Sequence, residues 1–271
     1  MPETAPQGGG ETPRAPAARL DLGAASHVGH VRSLNEDRFL VAPESGLFAV
    51  ADGMGGHAAG DVASSAVVQA LATIAPAASA GDLLARMKAG IATANAEIQK
   101  VALARGTVVG TTVAALLIFA PHFACLWSGD SRIYRVRAGR IVQLSRDHTE
   151  IQSLLDRGVL TPEEASAWPG RNVVTRAIGV QERPDVELDH GLLEPGDLFI
   201  LCSDGLTQHV GDREILGLCT DAPDAQGACD ALVSLTLARG ANDNVTVVAV
   251  RYLGPPGAGP RDAAGPGASG S

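Results

Sequence analysis

The apolar residues of this chain come in short runs joined by very short links, and this pattern constrains the fold more than any other feature. The runs GLFAVAD, TTVAALLIF, FACLWSGD, RIYRVRAG, RIVQLS, DLFILCSDG and NVTVVAVRYL have the length and composition of strands. Several are separated by only two to four residues, too few for the crossover that a parallel pair requires, so antiparallel neighbours are expected. Amphipathic segments lie between them. GDLLARMKAGIATANAEIQKVALARG predicts a helix with Asp82 as N-cap and Gly106 at its end, with Leu84, Met87, Ile91, Ala94, Ile98 and Val101 along one face. VASSAVVQALATI and DAQGACDALVSLTLARG predict two more helices, and TPEEA reads as a capping box with Thr161, Pro162 at N1 and Glu164 at N3. Grouped strands with one-sided helices point to a layered α+β fold, helices outside and sheets inside. Periodicity leaves open whether there is one sheet or two.

A chain of 271 residues that is 45% hydrophobic can bury a sizeable core, and an aromatic content of 3% makes that core aliphatic. Both ends are rich in Pro, Gly and Ala. Residues 1–19 and 254–271 are therefore expected to be disordered tails around one domain, 20–253. Acids outnumber bases, 30 to 21, for a formal charge of -9, which argues against binding to a phosphate backbone. The start of the chain lacks the basic and apolar stretches of a secretory signal, so export by that route is not expected. The most apolar window, Val113 to Trp127, is too short to span a membrane and is interrupted by Pro121 and His122. The 4 cysteines, Cys125, Cys202, Cys219 and Cys229, are widely spaced, which suits buried thiols in the cytoplasm.

The apolar runs share an ending. FAVADG stops at Asp52, CLWSGD at Asp130 and FILCSDG at Asp204, and GANDN puts Asp243 just ahead of the last strand. A single Asp-Gly after an apolar run is a common turn signal. Its recurrence at several strand mouths favours a shared site instead. Carboxylates gathered at one end of a sheet repel and raise one another's pKa unless a cation neutralises them, and oxygen donors select Mg²⁺ or Mn²⁺ over zinc. VRSLNEDRF adds Glu36 and Asp37, which would face opposite sides of a strand, and Arg32, whose guanidinium suits a phosphate. Spacing alone allows Arg32 to be a surface salt bridge to Glu36 or Asp37 just as well.

The stretches VRSLNED, ADGMGGHAAG, GTTVAALL, WSGDSRIYR, LSRDHT, RNVVTRAIG, LCSDGL and NDNVTVV, in this order over nearly the whole core, resemble the bacterial PP2C-type (PPM family) metal-dependent protein serine/threonine phosphatases. The resemblance implies a four-layer α-β-β-α sandwich of two antiparallel sheets flanked by helices, with two Mn²⁺ or Mg²⁺ ions in a cleft at one end. It casts Asp52 as the carboxylate bridging both ions, the Gly53 carbonyl as a ligand of one, and Asp204 and Asp243 as ligands of the other. Glu36 takes the place of a water-mediated ligand, Asp37 that of a holder of the surrounding water, and Arg32 that of the phosphate clamp. Asp130, with Asp204, matches a weaker third cation site. Met54 stands where animal members have the histidine proposed as general acid, and His57 follows three residues later as a candidate for that role. Residues 145–178 correspond to the family's flap, with Trp168 where histidine is common.

The implied reaction is hydrolysis of phosphoserine and phosphothreonine by water shared between the cations, without a covalent intermediate. The expected partners are phosphorylated proteins, serine/threonine kinases among them, with no nucleic acid and no membrane, and a monomeric enzyme. Two rival readings remain at this point: a phosphohydrolase for small phosphate esters, and a non-catalytic sensor of the same fold. The acidic residues at every mapped ligand position count against the second.

Overall fold

The computed structural model describes residues 18–55, 59–166, 168 and 173–255. The first half of the chain runs β1 (Leu20–His27), β2 (Asp37–Ala42), β3 (Leu47–Met54), α1 (Ala59–Ala72), α2 (Ala80–Arg105), β4 (Gly110–Thr111), β5 (Val113–Phe119) and β6 (His122–Ser128). It continues with β7 (Arg132–Arg137), β8 (Arg140–Gln143), α3 (Glu150–Asp156), α4 (Pro162–Ser166) and β9 (Glu187–Leu192). The last part is β10 (Leu198–Cys202), α5 (Asp204–Thr207), α6 (Asp212–Asp221), α7 (Ala225–Ala238) and β11 (Val245–Tyr252). The strands form two antiparallel sheets, one in the order β1-β11-β10-β7-β8, the other β2-β3-β5-β6-β9 with β4 paired to β3. The question that periodicity left open is thus answered with two sheets.

The continuous apolar runs have a direct cause. An antiparallel sheet commonly keeps one wet face and then reads as an alternation, but here the central strands are covered on both faces. Leu47, Ala49 and Ala51 of β3 and Val113, Ala115 and Leu117 of β5 pack outward on Met87, Ile91 and Ile98 of α2 and on α1. The intervening Phe48, Val50, Ala114 and Leu116 point inward and meet Phe199, Leu201, Val248 and Val250 of the other sheet. On the far side, Ile200, Val245, Val247 and Ala249 pack against Ala228, Leu232 and Ile215 from the last two helices. Successive side chains of one strand thus enter different cores, and the layers stack helix, sheet, sheet, helix.

Some boundaries differ from the sequence reading. The cap of α2 is Ser79, whose hydroxyl accepts from the Asp82 N–H while the Asp82 carboxylate takes the Ala78 N–H. Asp82 is therefore an N3 residue, and Leu83 is the fully buried leucine, with Leu84 only partly covered. The far end of α2 matches, with Gly106 left-handed at φ 63°, and the capping box at Thr161 and Glu164 is formed in both directions. Strands β1, β2 and β9 were not among the expected runs, because most of their mixed residues are half-covered or exposed. Of the expected tails, residues 1–17 and 256–271 lie outside the described residues.

Pairing brings the ends of several strands to one edge. The last residues of β10 pair with the start of β11, Cys202 with Val247, and Asp37 of β2 pairs with Asp52 of β3. Val113 of β5 pairs with Ser128 of β6. Asp52, Asp130, Asp204 and Asp243 therefore emerge at the same end of the sandwich. The segment between β8 and β9 sits beside it, its two limbs joined where Thr175 N–H donates to His148 O (2.7 Å) and Glu150 N–H to Val173 O (3.0 Å).

Candidate active site

A cleft of about 520 Å³ opens at this end, lined by Arg32, Glu36, Asp52, Gly53, Met54, Thr112, Asp130, Asp204, Asp243 and Asn244 among others. Asp37 is not in the lining; it lies beneath, 2% exposed. One of its oxygens accepts from the Ser203 hydroxyl at 2.8 Å, and the other, Oδ1, is buried with no partner, as is Glu36 Oε1. The sequence placed Glu36 and Asp37 on opposite sides of a strand; in the structure Glu36 lies at the cleft just ahead of β2, and Asp37, the first residue of β2, lies below it.

The Asp-Gly pairs are not turns. Gly53 lies within β3 and Gly205 within α5, and neither is among the glycines with positive φ. What they permit is close approach. A Cβ on Gly53 would stand 2.1 Å from the Gly60 carbonyl oxygen and 2.9 Å from that of Glu36; one on Gly205 would stand 1.9 Å from the Asn244 carbonyl oxygen. Gly29, at φ 80°, plays the same part beside the Asp243 carbonyl, 2.2 Å from where its Cβ would lie. These absent methyl groups let the loops that carry the carboxylates close on each other.

Neighbouring polar residues fix the acids, mostly through their backbones. Asp52 N–H donates to Thr112 Oγ1 (3.0 Å), and its carbonyl accepts from Thr112 N–H (2.8 Å) and Thr111 Oγ1 (2.9 Å). Gln208 Nε2 donates to Asp204 Oδ2 (2.6 Å). Asn244 Oδ1 accepts from Glu36 N–H (2.8 Å), while its Nδ2 donates to the carbonyls of Val28 and Leu34, tying the loop of Arg32 to the start of β11. Arg32 pairs with neither Glu36 nor Asp37. Its Nη2 lies 2.8 Å from Asp243 Oδ2, with the side chain 54% exposed.

Burial and mutual repulsion shape the titration of this cluster. Burial is the main cause that raises Asp37 to about 7, with Asp204 and Asp243 adding to it and the Ser203 hydroxyl opposing it. Burial, then the charges of Asp204 and Asp147, raise Asp130 to about 8. Asp52 is pushed well above the usual carboxylate range by burial and by Asp37, Asp204, Asp130 and Asp243; Asp204 is raised by burial and Asp243. A cluster of this kind holds protons or cations.

Among the described residues no three His, Cys, Asp or Glu side chains are arranged to hold a metal ion by themselves. A Mg²⁺-like cation does not require such a cage, since it keeps several waters and uses one or two carboxylates. The donor set fits that mode: carboxylates and a backbone carbonyl, with two buried carboxylate oxygens that lack any other partner. His57 lies outside the described residues, and Trp168 is 38% exposed. Sequence reasoning missed Ser203, Thr112, Gln208 and Asn244 as supports of the acids. For Ser203 and Asn244, adjacency to an Asp in SDG and DN was the available signal; Thr112 and Gln208 carry no such mark.

Comparison with known proteins gives a consistent result. The sequence profile of the family described as Protein phosphatase 2C matches residues 25–222. The chain is 39% identical over 232 residues to the serine/threonine protein phosphatase PstP of Mycobacterium tuberculosis, a match that takes in 84% of this chain and 44% of PstP, less than half of that relative's length. It is 32% identical over 243 residues to the protein phosphatase PhpP of Streptococcus pneumoniae, covering 85% of this chain and 97% of PhpP. Among solved structures, PppA, a regulatory component of T6SS in Pseudomonas aeruginosa, superposes with a TM-score of 0.81 at 41% identity, over 87% of this chain and 99% of that one. The catalytic domain of PstP, in complex with two manganese ions, gives 0.79 at 36% identity over 87% and 99%.

Proposed function

Since the chain belongs to the protein phosphatase 2C family, we propose that it hydrolyses phosphoserine and phosphothreonine in proteins, using two divalent cations held at this cleft. One observation carries the reading: acids from strand ends far apart in the chain converge on one cleft, two of their oxygens are buried without partners, and a single guanidinium stands at the rim. Asp52, the Gly53 carbonyl, Asp204 and Asp243 would hold the ions, with Glu36 reaching one through water. Asp130 and Asp204 would share a weaker third ion. Manganese is the preferred ion in this proposal, on the strength of the PstP complex.

Bound there, two such cations supply a water acidic enough to attack near neutral pH and offset the charge of the attacking and leaving oxygens. The chain's own residues do the rest. Arg32, exposed and facing the cleft, turns its planar donors from Asp243 to the phosphate oxygens. Asp37, held by Ser203 below the floor, keeps one oxygen without a partner and would orient water or accept its proton. With the Asp52 backbone fixed by Thr112 and the Asp204 carboxylate by Gln208, the acids would stay in place as charge shifts, so little reorganisation opposes the reaction.

In this proposal residues 20–253 form one phosphatase domain, with 145–178 as a flap beside the cleft and a tail at either end. It acts as a monomer in the cytoplasm on phosphorylated proteins, including serine/threonine kinases. No helix among the described residues is long and apolar enough to cross a membrane. The test is phosphate release from a phosphothreonine peptide with Mn²⁺, with excess chelator, and in Asp204→Asn. Activity that requires the metal and is largely lost in the variant is the expected result. Folded, metal-loaded protein that releases no phosphate would refute the proposal.

A further inference from the structure

His148 belongs to none of the carboxylate contacts above, yet the peptide unit before Asp130 and both limbs of the 145–178 segment meet at it. The residue is 6% exposed. Its backbone N–H donates to Gly129 O (2.9 Å), and its carbonyl accepts from Thr175 N–H (2.7 Å) on the returning limb. Its ring does the same work again with side-chain atoms. Nδ1 accepts from Gly129 N–H (3.1 Å), and Nε2 lies 3.2 Å from Glu187 Oε1, which also takes Arg176 Nη1 at 2.8 Å. The ring stacks on Trp127, at 6.4 Å between centroids and 26° between planes, and the Trp127 indole N–H is anchored on Arg146 O (2.8 Å).

This geometry fixes the tautomer. A backbone amide can only donate, so Nδ1 is bare and Nε2 carries the proton that points to Glu187. Gly129 is confined from the other side as well: at φ 111° it has Thr112 so close that a Cβ would stand 2.6 Å from Thr112 Cγ2. Thr112 is the residue that holds Asp52. Gly129 is thus clamped between the support of one acid and an imidazole, and Asp130 follows directly. Burial and the Arg176 charge keep the ring below its usual pKa, against the pull of Glu187 and Asp185.

We propose that His148 is a positioning residue: through Nδ1 it fixes the Gly129–Asp130 turn at the cleft, and through Nε2 it locks Glu187 and the returning limb 173–176 to that same turn. The kinetic half of this assignment rests on the phosphatase reading; the structural half does not. The limb beside the cleft and the acids of the cleft are thereby held in one register by a side chain outside the lining.

The two arms can be cut separately. In His148→Asn the amide oxygen stands where Nδ1 stood and still accepts from Gly129, but residue 148 no longer reaches Glu187, which keeps only Arg176. In His148→Gln the amide reaches the Nε2 position, and the Gly129 N–H loses its acceptor. Amide hydrogen exchange in the folded full chain reads this without any activity. The Gly129 and Asp130 amides should exchange about tenfold faster in His148→Gln than in His148→Asn, and the Thr175 and Arg176 amides should show the opposite order by a similar factor. Kinetics should split alike. His148→Gln lowers kcat on both a phosphothreonine peptide and a small aryl phosphate, whereas His148→Asn raises KM for the peptide and leaves the aryl phosphate unchanged.

The ring ¹⁵N shifts of the wild-type protein need no variant and should show a protonated Nε2. A ring protonated on Nδ1 overturns the assignment, as do variants whose exchange patterns coincide. A wild-type protein inactive on both esters but with the exchange pattern split as above would refute the phosphatase reading and uphold the positioning role.

Discussion

Replacing Asp37 by Asn should make the metal-free protein more stable while it disables the site. Asp37 is almost fully buried, and burial with the charges of Asp204 and Asp243 holds it near 7, against 3.8 for a free aspartate. The folded chain therefore binds a proton that the unfolded chain gives up. The contribution of Asp37 is intact below the unfolded value and is lost as pH rises through the folded one. A shift of roughly three units corresponds to about 4 kcal/mol at pH 8, about 2 kcal/mol at pH 5 and under about 1 kcal/mol at pH 4. Asn at this position keeps an acceptor for the Ser203 hydroxyl and presents an amide N–H₂ to the other acids where the bare Oδ1 now stands. Removing the charge also relieves Asp52, for which Asp37 is the strongest of the repelling neighbours. Urea unfolding in excess chelator should therefore show Asp37→Asn more stable than wild type by a few kcal/mol at pH 8, with a gain that shrinks towards pH 4. In saturating Mn²⁺ the order should close or reverse, because a cation at a hundred times its dissociation constant adds about 2.7 kcal/mol to the protein that binds it. A variant that is less stable than wild type in chelator at pH 8, or one whose gain is the same at pH 4 and pH 8, would refute the claim that a buried, repelled carboxylate is maintained here for the sake of a cation.

Other perturbations separate the roles of single groups. Arg32→Ala should lower kcat/KM for a phosphothreonine peptide about 10- to 100-fold, the range for losing hydrogen bonds to a charged group, and Arg32→Lys should recover little of it because the planar fork is lost. Neither change should move the melting temperature appreciably, since the half-exposed pair to Asp243 is worth less than about 1 kcal/mol; a large drop in stability would make Arg32 a structural residue. Gly205→Ala drives a methyl group to 1.9 Å from the Asn244 carbonyl oxygen, so a loss of about 1–3 kcal/mol in chelator and a weaker Mn²⁺ dependence of activity are expected, measured by urea midpoint and metal titration. The thiols of Cys202 and Cys229, pushed up to about 12, and of Cys219, pushed up to about 11, are all buried, as is Cys125. A colorimetric disulfide reagent at pH 8 should therefore find no fast thiol in the native protein and all 4 cysteines after unfolding, and a single fast thiol would contradict the packing.

The fold was legible wherever a strand is buried on both faces, because such strands read as unbroken apolar runs; β3, β5, β10 and β11 all do. At the edges only β8 was read, as RIVQLS, while β1, β2 and β9 were not. In β9, Asp189 and His190 join the sheet through backbone pairing, with exposed side chains that carry no hydrophobic signal. The start of α2 was misplaced for a different reason. Ser79 and Asp82 each bond the backbone near the other, and an acid in the first turn of a helix looks the same in sequence whether it caps from outside or from N3.

The site was legible from its acids but not from its supports, and the glycines show why. Asp-Gly suggests a turn because Gly reaches positive φ at little cost, yet Gly53 and Gly205 have ordinary backbones and are needed for what they lack. Gly60, Glu36 and Asn244 press their backbones against the missing Cβ positions, and this contact draws α1, β2 and β11 onto β3, which carries Asp52, and α5, which begins at Asp204. Such pressure comes from a neighbour distant in sequence, so no local pattern records it. The acids face the converse constraint. A fold selected for stability alone would not place Asp37 below Asp52, with one oxygen unpartnered, when an amide there would relieve the repulsion. The same arrangement would become the proposed binding site once a divalent cation offset the carboxylate charges, so the stability gain of Asp37→Asn should be larger in chelator than in Mn²⁺.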